Sequence, residues 1–314
     1  MSLEPIPVII GIIQALILVI FAPLLTGIMR KTKARTQKRI GSSILQPYYD
    51  IMKLFKKDEV VSENSSWLFR VSPWVNFVSI VAAACFIPIM IFYSPFGLVG
   101  DTLLVVGLFG LVRFFTILAG LDVASSFGGL GSSREMMASA LIEPALFITI
   151  FTISLVFGGT NLSTITESAT HSTVLAPSVI FAAISLFIII LAETGRLPFD
   201  NPATHLELTM MHEATILEYS GKSLALIEWS QSIKQLVLLT IFVNIFFPFG
   251  MSTVPSLVLL EVGLVAFAAK TTFVSIFIAF IETKVAKWRL FRIPDLIAIA
   301  IASSMVGVIF FYLK

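Results

Sequence analysis

The chain has 314 residues, of which 57% are hydrophobic and only 13% charged, so it lacks the polar surface that an ordinary soluble domain shows to water. Its 21 Lys and Arg nearly balance 19 Asp and Glu, and the slight basic excess reports membrane topology, not a nucleic-acid partner. One cysteine, Cys85, excludes an intramolecular disulfide and the usual four-cysteine iron-sulfur cradle.

Spanning about 30 Å of hydrocarbon at ~1.5 Å per residue takes about 20 apolar residues in a helix. Eight stretches come close to or exceed that length, predicting an all-α polytopic membrane protein with eight transmembrane helices: Pro7–Met29, Val71–Tyr93, Thr102–Gly120, Met136–Phe157, Val174–Ala192, Gln235–Gly250, Ser256–Ile281 and Leu296–Leu313. The first follows Glu4 instead of a basic run and is too long for a secretory signal, so it reads as a span. No repeat, glycine fingerprint or low-complexity tail breaks the pattern, and residues 1–314 read as a single integral membrane domain.

The connections at about 30–70, 121–135, 193–234 and 282–295 hold eighteen of the 21 basic residues, ten of them in the first. Arg113 and Lys270 lie inside spans, and Lys314 alone falls on the opposite face. By the positive-inside rule these connections are cytoplasmic and both termini lie outside. In the first connection Ile44, Tyr48, Ile51, Met52 and Phe55 recur at helical spacing beside Lys53, Lys56 and Lys57, which predicts a short interfacial helix and contact with the lipid bilayer or a docked partner. Ser125 to Glu135 reads as a connection flexible at its glycines, with a helix start at Ser132 or Ser133.

The fifth connection is the most informative. From Glu193 to Gly221 it packs five carboxylates, Glu193, Asp200, Glu207, Glu213 and Glu218, and the histidines His205 and His212 between two apolar segments. The acids are interleaved with Leu206, Leu208, Met210, Met211, Ile216 and Leu217, which a merely solvated loop would not need. A helix over Thr204–Tyr219 would set Glu207, Met211, Ala214 and Glu218 on one stripe and Glu213 beside Leu206, Met210 and Leu217. With no uniformly polar face, such a helix packs against protein.

Ionisable residues also fall in or at the ends of spans: Arg113, Glu143, Glu193, Lys234, Lys270 and Glu282. Burial of each costs several kcal/mol unless it is paired or hydrated, so the set points to a polar interior and either a structural ion-pair lattice or a proton relay. Pro144 after Glu143 removes a backbone donor and frees the carbonyl of Ala140, opening the helix beside an acid.

Three groups of motifs resemble one family: ETGRLPFD with LEYSG in the fifth connection, ILQPYYDIMKLFKK in the first, and SSREMMASALIEP over Ser132–Pro144. The family is the membrane subunit that docks the peripheral redox arm in bacterial complex I, with its relatives in formate hydrogenlyase and energy-converting hydrogenases. RIGSSILQP stands where the quinone enzymes usually carry Gly-Pro-Asn-Arg before Leu-Gln-Pro, and AGLDVASSFGGLGSSRE with LIEP looks like the formate hydrogenlyase subunits. The likeness is therefore strongest to the membrane-bound [NiFe]-hydrogenase branch. It places Glu143, Glu193, Arg196, Asp200, Glu207, Glu218, Lys234, Lys270 and Glu282 at charged family positions, while Ala203 and His205 depart from acids common there.

The resemblance implies a non-catalytic membrane subunit of an oxidoreductase complex in a prokaryotic cell membrane. It would anchor a soluble [NiFe]-hydrogenase-like module and link electron transfer to proton or sodium translocation. The proton relay or coupling set would be Arg113, Glu143, Glu193, Arg196, Asp200, Glu207, Glu213, Glu218, Lys234, Lys270 and Glu282. The implied partners are hydrogenase-like large and small subunits, a ferredoxin-like iron-sulfur subunit and antiporter-like membrane subunits, with nickel-iron and iron-sulfur centres in them and no cofactor in this chain. Two alternatives stand beside this: a quinone-site subunit of a complex I-like dehydrogenase, and a standalone ion transporter.

Overall fold

The computed structural model describes residues 5–92, 101–171, 176–200, 210–251 and 256–313. The long helices are α1 (Pro5–Thr36), α3 (Trp67–Cys85), α4 (Thr102–Asp122), α5 (Ser126–Phe157), α7 (Pro177–Glu193), α9 (Gly221–Phe246), α10 (Leu257–Lys284) and α11 (Ile293–Tyr312). Between them lie the short helices α2 (Gln46–Phe55), α6 (Leu162–His171) and α8 (His212–Thr215). Seven of the long helices have the length and apolarity to cross a membrane. The remaining one, α7, is shorter at 17 residues.

Helix ends follow local chemistry. Ser66, Asp101, Ser125 and Ser256 accept a hydrogen bond from a first-turn amide of α3, α4, α5 and α10. Proline opens α7 at Pro177 and α11 at Pro294, where its missing N–H is harmless. The helix of α5 runs unbroken through Pro144.

α9 is the axis of the bundle. It packs against α1, α2, α3, α7 and α10, and 72% of its most apolar window is buried, against 33–44% in the other six membrane-length helices. Its Leu239 shares one core with Leu18, Ile80, Ile142, Leu186 and Ile278. α3 pairs with α4, α7 with α11, and α5 lies against α4, α7 and α11.

The eight expected segments correspond in order to the eight long helices among the described residues, seven of which are of membrane-spanning length and apolarity, but they differ at several ends. α9 begins at Gly221, not Gln235, because burial supports a first half in which Lys222, Glu228 and Lys234 break the apolar signal. α3 ends at Cys85, before the expected Tyr93. Pro88 disfavours helix at Ile87, and two buried amides hold the backbone that follows. Gln14 Oε1 accepts from the amides of Ile89 and Met90 at 2.6 and 3.0 Å, and Asn244 Nδ2 donates to the carbonyl of Pro88 at 2.6 Å.

The reading of Ser125–Glu135 as a flexible connection is corrected: α5 starts at Ser126, and these glycines are helical. They admit close neighbours within the same chain. A Cβ on Gly131 would stand 2.8 Å from Ala214 Cβ and 2.9 Å from the Thr215 amide. The expected helix over Thr204–Tyr219 is cut to the single turn of α8, since Ile216–Glu218 form a turn and 201–209 lie outside the described residues. The stripe of Glu207 with Glu218 is therefore not realised in the described part, and Glu218 is exposed. The interfacial helix of the first connection is present as α2, with Ile51 buried and Tyr49 and Met52 exposed.

Candidate functional site: a buried row of charges

Arg113 on α4 is the hub. It is 4% exposed, and its guanidinium reaches carboxylates from two further helices: Glu135 of α5 at 3.3 Å, Glu193 of α7 at 2.8 Å and Glu143 of α5 at 3.7 Å. Glu135 and Glu143, eight residues apart, stand about 80° from each other around α5 at ~100° per residue, so Arg113 reaches both while Glu135 is buried and Glu143 is 39% exposed. Lys234, from the middle of α9, closes on the same Glu193 oxygen at 2.7 Å and lies over the Phe109 ring at 5.6 Å. Glu193 is thus held between two cations, and Arg113 between three carboxylates.

His212 of α8 completes the row, its Nδ1 2.6 Å from Glu135 Oε2. Counted with Arg113 and Lys234 as two cations and Glu135, Glu143 and Glu193 as three anions, the row carries one uncompensated negative charge until His212 is protonated. Burial opposes the charged imidazole, but Glu135, with Asp200 adding to it, holds the pKa of His212 above the ordinary value of 6.5. A pKa raised in the folded state gives a stabilisation that is complete below about pH 6.5 and is lost as the pH rises through the higher folded value. Thermal melts of the detergent-solubilised protein between pH 5.5 and 9 are expected to show that loss, and His212→Gln should flatten it. An unchanged slope in the variant would disprove the assignment.

A second group lies beside the first. Arg196 contacts Glu282 of α10 at 3.4 Å and donates to Gln235 Oε1 at 2.8 Å, while Lys33 of α1 approaches Glu282 at 3.6 Å. Asp200 pairs with Lys287 at 2.6 Å and accepts the Met211 amide at 3.1 Å, which ties the start of α8 to the turn after α7. Both groups border a cavity of about 670 Å³ that reaches from α1 and α2 to Arg113, Glu193, Lys234 and Glu282. Glu213 also lines it.

The structure thus gathers Arg113, Glu143, Glu193 and Lys234 into one row and sets Arg196, Asp200, Glu213 and Glu282 around the cavity. Lys270 lies apart from them, donating to the carbonyls of Phe247 and Phe249 at 2.9 and 2.7 Å, where it caps the far end of α9. Glu218 points away into solvent, and Glu207 falls outside the described residues. Glu135, Lys33, Gln235 and Lys287 join these groups without standing among the expected residues, and His212, one of the two histidines of the fifth connection, joins them without an expected role. Glu135 was discoverable, being an acid eight residues before Glu143 in a charge-poor segment. His212 was not, since only the fold of the connection brings it to α5. Among the described residues no three His, Cys, Asp or Glu side chains converge as metal ligands.

A bundle of apolar helices with paired charges at its centre and a polar cavity at one end defines a polytopic membrane protein with an ionisable interior. More particularly, the chain belongs to the NADH dehydrogenase family, which matches residues 8–312. Hydrogenase-4 component C of Escherichia coli (strain K12) is 36% identical over 282 residues, covering 90% of this chain and 89% of the relative. Formate hydrogenlyase subunit 4 of the same organism is also 36% identical, over 284 residues and 89% and 90% of the two chains. A subunit of the NADH-quinone oxidoreductase of Rubrobacter xylanophilus is 27% identical over 88% of this chain and 85% of its own. The fold is shared with a chain of the membrane-bound sulfane sulfur reductase, an archaeal respiratory membrane complex, at a TM-score of 0.78 and 22% identity over 95% of this chain and 99% of that one.

Proposed function

We propose that this chain is the membrane anchor and coupling subunit of a respiratory-type redox complex of the hydrogenase or formate hydrogenlyase kind. The observation that carries the reading is the row His212, Glu135, Arg113, Glu193 and Lys234, buried at the end of the bundle where the basic connections lie. That end is the cytoplasmic face of a cell membrane by the distribution of Lys and Arg, with both termini outside. A soluble [NiFe]-hydrogenase-like module, its iron-sulfur subunit and antiporter-like membrane subunits would be the partners, and the metal centres would be theirs.

Charge movement in a module docked over α8 would act on His212 and Glu135 first. Because Arg113 bridges Glu135 and Glu193, a change of charge on either carboxylate alters the field at the other across one guanidinium. Lys234 passes it on into α9. Proton or sodium movement in neighbouring subunits would follow from that shift.

The test uses the intact complex in sealed vesicles. Glu193→Gln is expected to leave hydrogen turnover within about two-fold of wild type and to reduce coupled ion movement at least ten-fold, of the order that losing one proton-transfer group costs. Full ion movement in that variant would refute the coupling role. Turnover that quinone analogues abolish would replace the hydrogenase reading with that of a quinone-site subunit, for which the cavity has room.

A further inference from the structure

We propose that His212 is the proton port of the buried row, passing protons between the cavity and Glu135. The proposal rests on the coupling reading above and adds to it the group through which protons enter. Three observations point to it. First, the imidazole bridges two environments: Nδ1 is 2.6 Å from Glu135 Oε2 on one side, and the ring lines the cavity on the other. The His212 side chain is 26% exposed where Glu135 is 4% and Glu193 2%, so the imidazole is the outermost link between the cavity and those two carboxylates.

Second, the space for the ring is made by a glycine. Gly195 has φ +59, and a Cβ there would fall 2.3 Å from His212 Cδ2 and 3.0 Å from Nε2. The Nε2 edge therefore rests on bare backbone at the turn after α7, one residue from Arg196 on the cavity wall. A cavity of about 670 Å³ bordered by charged groups from α1, α4, α7, α9 and α10 is large and polar enough to hold water.

Third, the charge count suits a carrier. The groups that face His212 are Glu135 from α5, Arg113 from α4 and Asp200 from the turn after α7, with Glu213 adjacent on its own helix. With Glu143 counted in, the row is neutral when His212 is protonated and carries one negative charge, to attract the next proton, when it is not. The transfer step is balanced. The imidazolium breaks its Nδ1–H bond and Glu135 Oε2 gains that proton. That leaves the ring neutral with its remaining proton on Nε2; the proton shifts to Nδ1 by exchange through cavity water, and the freed Nε2 then takes one proton from a hydronium ion or buffer acid in the cavity, which restores the imidazolium. No electron moves.

Proton uptake per turnover of the intact complex in vesicles tests this. His212→Ala is expected to slow uptake about ten-fold or more, and millimolar imidazole to restore most of it by entering the cavity. Pyrazole fills the same space but stays unprotonated at neutral pH, and is expected not to restore it. Wild-type uptake in His212→Ala, equal rescue by pyrazole, or rescue by neither would make His212 a packing residue and overturn the proposal. Should the alanine variant fail to assemble, His212→Gln keeps a side chain that reaches Glu135 but cannot carry a proton. Wild-type uptake in that variant would overturn the proposal equally, and slowed uptake would uphold it. These outcomes are separate from the Glu193→Gln result, since a coupled complex with another entry point loses ion movement only in the latter.

Discussion

Arg113→Leu is expected to lower the stability of the purified protein by about 3–5 kcal/mol, the usual effect of removing one partner from a buried ion pair. The magnitude comes from what remains. Glu135, Glu143 and Glu193 lose their shared cation, and Glu135 and Glu193 are almost fully buried. Lys234 still holds Glu193 and His212 still holds Glu135, so collapse is partial and the protein should remain in the membrane. Removing the stranded charge as well should recover part of the loss. Arg113→Leu with Glu135→Leu is expected to melt above Arg113→Leu alone, because Glu135 keeps only His212, which is charged only when protonated, and two groups in one network are not additive. Melting at or below the single variant would mean that Arg113 acts through packing and not through charge.

Gly131→Leu should have the next largest effect, about 1–3 kcal/mol or more, the range for overpacking a close interface. The Cβ alone would meet Ala214 and the Thr215 backbone at 2.8 and 2.9 Å, and backbone cannot swing aside as a long side chain can. α8 must lift from α5, and the His212 contact to Glu135 goes with it. Hydrogen exchange over residues 210–216 should rise in the variant while the core of α9 stays protected. Gly129→Leu is the control, since nothing stands within 4 Å of a Cβ there. Equal loss in both variants would place the cause in glycine's effect on the helix and not in the α5 and α8 contact.

These two positions also show how far a linear reading goes. Arg113 stands out from its apolar neighbours, and its need for a partner is legible because an unpaired cation inside a membrane is costly. Which acids answer it is not legible, since Glu135, Glu143 and Glu193 converge only through the packing of α4, α5 and α7. Gly131 looks like a loop residue, and the reason for it is a neighbour more than eighty positions away. Lys270 illustrates the reverse. Its charge inside an apolar run suggested a relay, but the fold gives it the carbonyls at the end of α9.

The sequence by itself determined the class of protein, the order of its long apolar helices, the asymmetry of its basic connections and the family likeness. Those features are local: hydropathy over twenty residues, the sign of charge between segments, and short motifs. Only the tertiary structure decided which charges meet, that α9 starts fourteen residues before its apolar signal, and that His212 reaches a buried carboxylate. A charge in an apolar surrounding is stabilised or penalised by what lies within a few ångströms, and helices far apart in the chain supply those neighbours.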